Sequence, residues 1–183
     1  MTPEPAPGGM DAMRAVVLVE GESDRVALTT LAARRGRDLD AEGVQVVAMN
    51  GITNTYAYAV RYAPEATLAG LYDAAEEGHL RTALARAGVS ADTFFGCEPD
   101  LEYELIRALG AEAVEAVIEA AGETRSLALL AAMPAQQGWS RAQVLHRFLG
   151  VRAGRKARYA RMLVEACDLD AVPSPLAGVL AVI

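Results

Sequence analysis

Cysteine is scarce: only Cys97 and Cys167 occur in 183 residues, and they fit no metal-ligand spacing. Two isolated thiols exclude a disulfide-framed secreted scaffold and point to a reducing cytoplasm. No apolar run reaches the roughly 18 residues that cross a bilayer, so no membrane partner is expected. The opening MTPEPAPGGMDAM lacks the basic-then-apolar order of a secretory signal. Its Pro and Gly content reads as a disordered arm over residues 1–13. Lysine is nearly absent, with Lys156 alone against sixteen arginines. No serine lies in a nucleophile-elbow pattern. Tyr56, Tyr58 and Tyr62 approximate helical spacing, which packing explains better than base stacking.

What remains suits one globular domain with a helical appendage: 52% of residues are apolar and 22% charged. The formal charge of −7 excludes a simple nucleic-acid sponge. Its distribution is uneven. Residues 1–123 hold 21 acids and 9 bases, whereas residues 124–164 hold 8 bases and no acid. That basic stretch reads either as a phosphate-facing surface or as a solvated Arg-rich helical face.

The run Arg14-Ala-Val-Val-Leu-Val-Glu20 predicts a buried strand ending at Glu20-Gly21. A helix capped by Ser23 follows to about Arg35, closed by Gly36. Val44–Ala48 is a second strand, and Asn50-Gly51 is a turn before a helix opened by Thr53 or Asn54. Thr67–Tyr72 is a third strand, ending at Asp73, with a helix over about 76–87. Thr93–Gly96 is a weaker fourth strand. Beyond Pro99 the pattern is helical, with helices over about 100–109, 111–121, 124–132, 140–149, 155–167 and 175–182. The expected fold is α/β: about four parallel strands with flanking helices over 14–109, then an all-helical extension over 110–183 packed on it.

Sites in open parallel sheets form outside the carboxyl ends of the strands. Glu20 and Asp73 end two strands, and Glu98, Asp100 and Glu102 follow the fourth. Asp24 lies four residues after Glu20, at a spacing that can return it to the same side. Carboxylates gathered in one cleft repel each other and raise their own pKa values. A divalent cation removes that cost, and oxygen-only ligands favour Mg2+ or Mn2+ over zinc. Singly, each acid is more often a surface or helix-start residue; three recurring at strand ends are harder to explain that way. His79 reads as exposed, and His146, among Leu145, Phe148 and Leu149, as a helix-face residue rather than a ligand. Asn50, Gly51 and Asn54 lie on a strand-end loop facing this site and are explained by turn chemistry.

The segment VVLVEGESDRVAL resembles the opening motif of TOPRIM domains, the fold shared by topoisomerases, bacterial primases and certain nucleases. GLYDAAEE stands where that family has Asp-x-Asp, and FFGCEPDLEYELIRALG resembles a later acidic segment of OLD (overcoming lysogenization defect) nucleases. The resemblance runs from about Arg14 to Leu109 and on through FLGVRAGRKARYARMLVEA and VPSPLAGVL; it is closest to stand-alone TOPRIM proteins of the OLD type. It implies metal ligation by Glu20, Asp24, Asp73, Asp100 and Glu102, with Glu20 and Asp73 catalytic. It also implies a role for Lys156 beside the metals, neutralising charge on the scissile phosphate. Position 75 departs from the pattern, being Ala where the second acid belongs; Glu76 or Glu77 is the expected substitute. The ATPase module that usually precedes this domain in OLD nucleases is not seen, nor is a G-x-x-x-x-G-K-[ST] loop, so ATP dependence would need a separate partner.

The leading expectation is a metal-dependent nuclease acting on DNA before RNA, with Arg147, Arg152, Arg155, Lys156, Arg158 and Arg161 holding the phosphate backbone. A primase-type nucleotidyl transferase and a catalytically degenerate TOPRIM module that binds nucleic acid or a partner are the alternatives, Ala75 favouring the last.

Overall fold

The computed structural model describes residues 13–150 and 154–183. β1 (Ala15–Val19), α1 (Glu22–Arg34), β2 (Val44–Ala48), α2 (Thr55–Tyr62), β3 (Thr67–Asp73), α3 (Glu77–Arg86) and β4 (Phe94–Cys97) alternate along the chain. Among the described residues six α-helices follow: α4 (Leu101–Leu109), α5 (Ala111–Ala120), α6 (Thr124–Ala131), α7 (Arg141–Gly150), α8 (Arg155–Ala166) and α9 (Ser174–Val182). The expected N-terminal arm lies outside the described residues except for Met13. No helix among the described residues is long and apolar enough to cross a membrane, and both cysteines are free and buried.

The four strands form one parallel sheet in the order β2-β1-β3-β4. β1 is buried along its whole length, as a strand covered on both faces must be. Its alternate side chains serve two cores. Ala15, Val17 and Val19 join α1 and the C-terminal helices on one face. Val16 and Leu18 join Leu80 and Leu84 of α3 and Ala59 of α2 on the other. The helical part therefore shares its core with one face of the sheet.

Two local departures from the sequence reading have simple causes. Helix α1 begins at Glu22, ahead of the expected Ser23 cap, because Asp24 reaches back and accepts the Gly21 N–H at 2.9 Å. The fourth strand ends on Cys97, and Asp100 caps α4 by accepting the Tyr103 N–H at 3.0 Å.

Gly70 marks the tightest approach in the sheet. A Cβ there would lie 2.4 Å from the Leu18 carbonyl oxygen and 2.7 Å from the Phe94 ring. The ring can shift but the paired backbone cannot. Gly70→Ala is expected to destabilise the protein by about 3 kcal/mol, read as a lower urea midpoint at unchanged slope.

Candidate metal centre

The sheet order fixes where a site can form. After β1 the chain crosses by α1 on one face; after β3 it leaves by α3 on the other. The diverging connections open a crevice beyond the carboxyl ends of these neighbouring strands. Glu20 follows β1 and Asp73 ends β3, so both reach this crevice. Asp24 enters from the first turn of α1 and Glu102 from the first turn of α4. The start of α8, which packs along α1, contributes Gly154, Lys156 and Ala157. The result is a cleft of about 340 Å³ lined by Glu20, Asp24, Asp73, Glu102 and Lys156.

Electrostatics in the cleft are unfavourable without a cation. Burial pushes the Asp24 carboxyl up to about 6, and the Glu102 and Glu20 charges add to this against the Gly21 N–H and Lys156. Burial and the charges of Asp24, Asp100, Glu20 and Glu102 push Asp73 up to about 7. Among the described residues, Lys156 is the single cation lining the cleft. Partial burial pulls its pKa down, but Glu102, Asp100 and Asp73 outweigh that and leave it above the ordinary lysine range. Its Nζ stands 3.3 Å from Glu102 Oε1. That contact is an ion pair without hydrogen-bond geometry, so Oε1 is buried with no hydrogen-bond partner. A buried carboxylate oxygen with no hydrogen bond, lining a cleft with three further carboxylates, offers oxygen donors of the kind a hard divalent cation takes. Cys97 adds no thiolate, because burial and the neighbouring carboxylates push its pKa well up.

Asp100 and Glu76 sit differently. Burial raises Asp100, but hydrogen bonds from His146 and from the Tyr103 N–H outweigh it, and the carboxyl lies below the ordinary range. Its Oδ2 accepts from His146 Nε2 at 2.6 Å. One ligand atom each from Asp100, Glu102 and His146 lies within 4.8 Å of the others. His146 is thus brought to the site although its sequence surroundings read as a helix face. Glu76 occupies a 3₁₀ turn after β3 (Ala74–Glu76) and is not among the residues lining the cleft.

The basic residues divide. Arg155 is an inner residue of α8: its side chain is 7% exposed, paired with Glu123, and donates to the Phe148 carbonyl at 3.1 Å. It also lies over the Phe148 ring. A guanidinium so engaged holds α8 to the helices around it and is not presented to a phosphate. Arg158 shares Glu123 at 2.9 Å with much of its side chain exposed, Arg161 lies 3.4 Å from Glu165, and Arg147 is exposed on α7. Arg152 lies outside the described residues.

The family model for the Overcoming lysogenization defect protein-like TOPRIM domain matches residues 13–62, a span that includes Glu20 and Asp24. The C-terminal region of the Burkholderia pseudomallei OLD protein is similar in structure, with a TM-score of 0.64 and 23% identity over 93% of this chain and 96% of that one. The C-terminal region of the Xanthomonas campestris pv. campestris OLD protein gives a TM-score of 0.64 and 25% identity over 92% and 90%. No curated protein matches this chain. The chain therefore carries an OLD-like TOPRIM segment, within a fold similar to those C-terminal regions over nearly its whole length.

Proposed function

We propose that this OLD-like TOPRIM chain is a metal-dependent phosphodiester hydrolase, a nuclease acting on DNA, with Mg2+ or Mn2+ held by Glu20, Asp24, Asp73 and Glu102. The observation that carries the proposal is the convergence of these four acids with Lys156 in one cleft, two of the carboxyls being held near 6 and 7. Such a cluster is costly unless a cation occupies it. Lewis-acid activation of water and neutralisation of phosphate oxygens are what a divalent ion would supply there.

The chain's own groups account for the rest. The Gly21 N–H fixes Asp24, leaving its second oxygen free to face the cleft. Lys156 has a half-exposed side chain whose ammonium can swing from Glu102 to a phosphate oxygen once the carboxylate has another counter-charge. Arg147, Arg158 and Arg161, with Arg152 between α7 and α8, would add backbone contacts and make binding fall with salt.

The test is conversion of supercoiled DNA to nicked or linear forms by the purified chain with Mn2+ or Mg2+ and its suppression by chelator. Lys156→Gln is expected to lower the cleavage rate by about 10²-fold. The same variant is expected to tighten Mn2+ binding several-fold, because it removes the cation already paired with Glu102. A slower rate with weaker Mn2+ binding would instead make Lys156 a structural residue.

A second reading is favoured by Ala75, which stands where the second acid after β3 is expected: a module that holds metal and nucleic acid without cleaving. Retained DNA binding with no strand scission in either ion would select it. Primer synthesis from labelled nucleotides would select the primase-type nucleotidyl transferase instead.

A further inference from the structure

Building on the metal-centre reading above, we propose that His146 is a metal ligand. With Asp100 and Glu102 it forms a nitrogen-bearing subsite that makes this chain prefer a transition-metal dication, such as Mn2+, over Mg2+.

Geometry carries this inference. α4 and α7 pack against one another and bring residues 46 positions apart into contact. Asp100 is fixed at the cap of α4 by the Tyr103 N–H. His146 is fixed by its bond to Asp100 and by the Tyr103 ring, 4.4 Å between centroids. Glu102, in the first turn of α4, has a side chain 8% exposed, and its buried Oε1, 3.3 Å from Lys156 Nζ, has no hydrogen-bond partner. A lone His–Asp bond would be explained as orientation of the carboxylate. The buried Glu102 Oε1 beside the pair is not engaged by it: neither Asp100 nor His146 bonds it, and among the described residues its ion-pair partner is Lys156, 3.3 Å away. The three donors lie within 4.8 Å of each other, close enough to converge on one ion after small side-chain rotations.

The chemistry of the donors sets the preference. Mg2+ takes oxygen ligands and keeps its waters, and imidazole adds little to its binding. Imidazole nitrogen adds more for first-row transition ions. On binding, the cation takes the place of the proton between Nε2 and Asp100, and the ligating neutral tautomer carries its proton on Nδ1. The subsite also bears on Ala75. A site lacking the second acid after β3 gains a donor from α7 instead, and a neutral one, which adds affinity without adding negative charge to a crowded cleft.

The chain has two histidines, His79 and His146, and His79 is exposed on α3, so assignment is clean. In tag-free His79→Asn protein loaded with Mn2+, pulsed electron paramagnetic resonance should show nitrogen modulation from one imidazole. That signal should disappear in the His79→Asn/His146→Ala double variant. Mn2+ affinity measured against excess Mg2+ should fall about 10- to 100-fold on removing His146, with Mg2+ affinity changed by less than about threefold. Mn2+ bound without nitrogen modulation in folded His79→Asn protein would overturn the proposal and leave His146 as a positioning residue for Asp100. Equal loss of Mn2+ and Mg2+ affinity would also overturn it. None of these readouts requires strand cleavage, so nitrogen ligation with no cleavage would sink the nuclease reading and leave this one standing.

Discussion

Asp73→Asn is expected to lower metal-dependent strand cleavage by on the order of 10³-fold or more while leaving the protein folded. Asp73 ends β3 at the crevice between the diverging connections, and it feels the charges of four other carboxylates. Asparagine keeps the shape and one oxygen but loses the charge that binds a cation. Glu20→Gln, at the end of β1, is expected to behave alike. Because these carboxylates repel one another, neither substitution should weaken the metal-free fold. Loss of activity together with unchanged or raised melting temperature separates a chemical role from a structural one. Cleavage at the wild-type rate in both variants, with contaminants excluded, would mean that another protein or another part of the surface does the work.

The second large effect is on stability against pH. The folded state holds Asp24 at about 6 and Asp73 at about 7, against an ordinary 3.8. Both carboxyls therefore bind protons more tightly folded than unfolded, and stability must fall as pH rises through this interval. Raising the Asp24 carboxyl from 3.8 to about 6 is worth on the order of 2–3 kcal/mol. Asp73 is more exposed, and solvent screening reduces its share. Metal-free protein should lose roughly 2–3 kcal/mol between about pH 4 and pH 7. Asp100 and Glu115, held below the ordinary carboxylate range by their partners, act in the opposite direction, and only at lower pH. Millimolar Mn2+ should reverse the slope, since ligation needs the deprotonated carboxylates and binding stabilises the folded state. Thermal melts in chelator and in Mn2+ across this range read both slopes, and Asp24→Asn should flatten the first. A metal-free protein equally stable at both ends would remove the electrostatic basis of the proposed metal centre.

Much of this site was legible because the sheet is parallel. Strand ends were visible as Val-rich runs stopping at Glu20 and Asp73, and in an open parallel sheet strand ends are where sites form. Asp24 follows from one-turn spacing after Glu20, Glu102 from its place after the fourth strand, and Lys156 from its resemblance to a family position. His146 was not legible. Its neighbours Val144, Leu145, Phe148 and Leu149 are buried, and a ring among them reads as part of a packing face. Only the docking of α7 on α4 brings it to Asp100. Arg155 misled for a related reason. A cluster of basic residues suggested a phosphate-facing surface, yet Arg155 heads the buried stripe that continues through Tyr159, Ala160, Leu163 and Val164. That stripe was in the sequence, and following its period would have placed Arg155 inward and Lys156 beside it. Glu123, the partner of Arg155 and Arg158, lies one residue before the acid-free segment, so charge counting by segment concealed the pairing.

The most direct test of the metal centre is anomalous diffraction from crystals soaked in Mn2+. A peak within ligand distance of Asp73, with Glu20, Asp24 or Glu102 completing its shell and lost in Asp73→Asn crystals, is the predicted result. A cleft without an anomalous peak at saturating Mn2+, in crystals whose lattice leaves it open, would contradict the account.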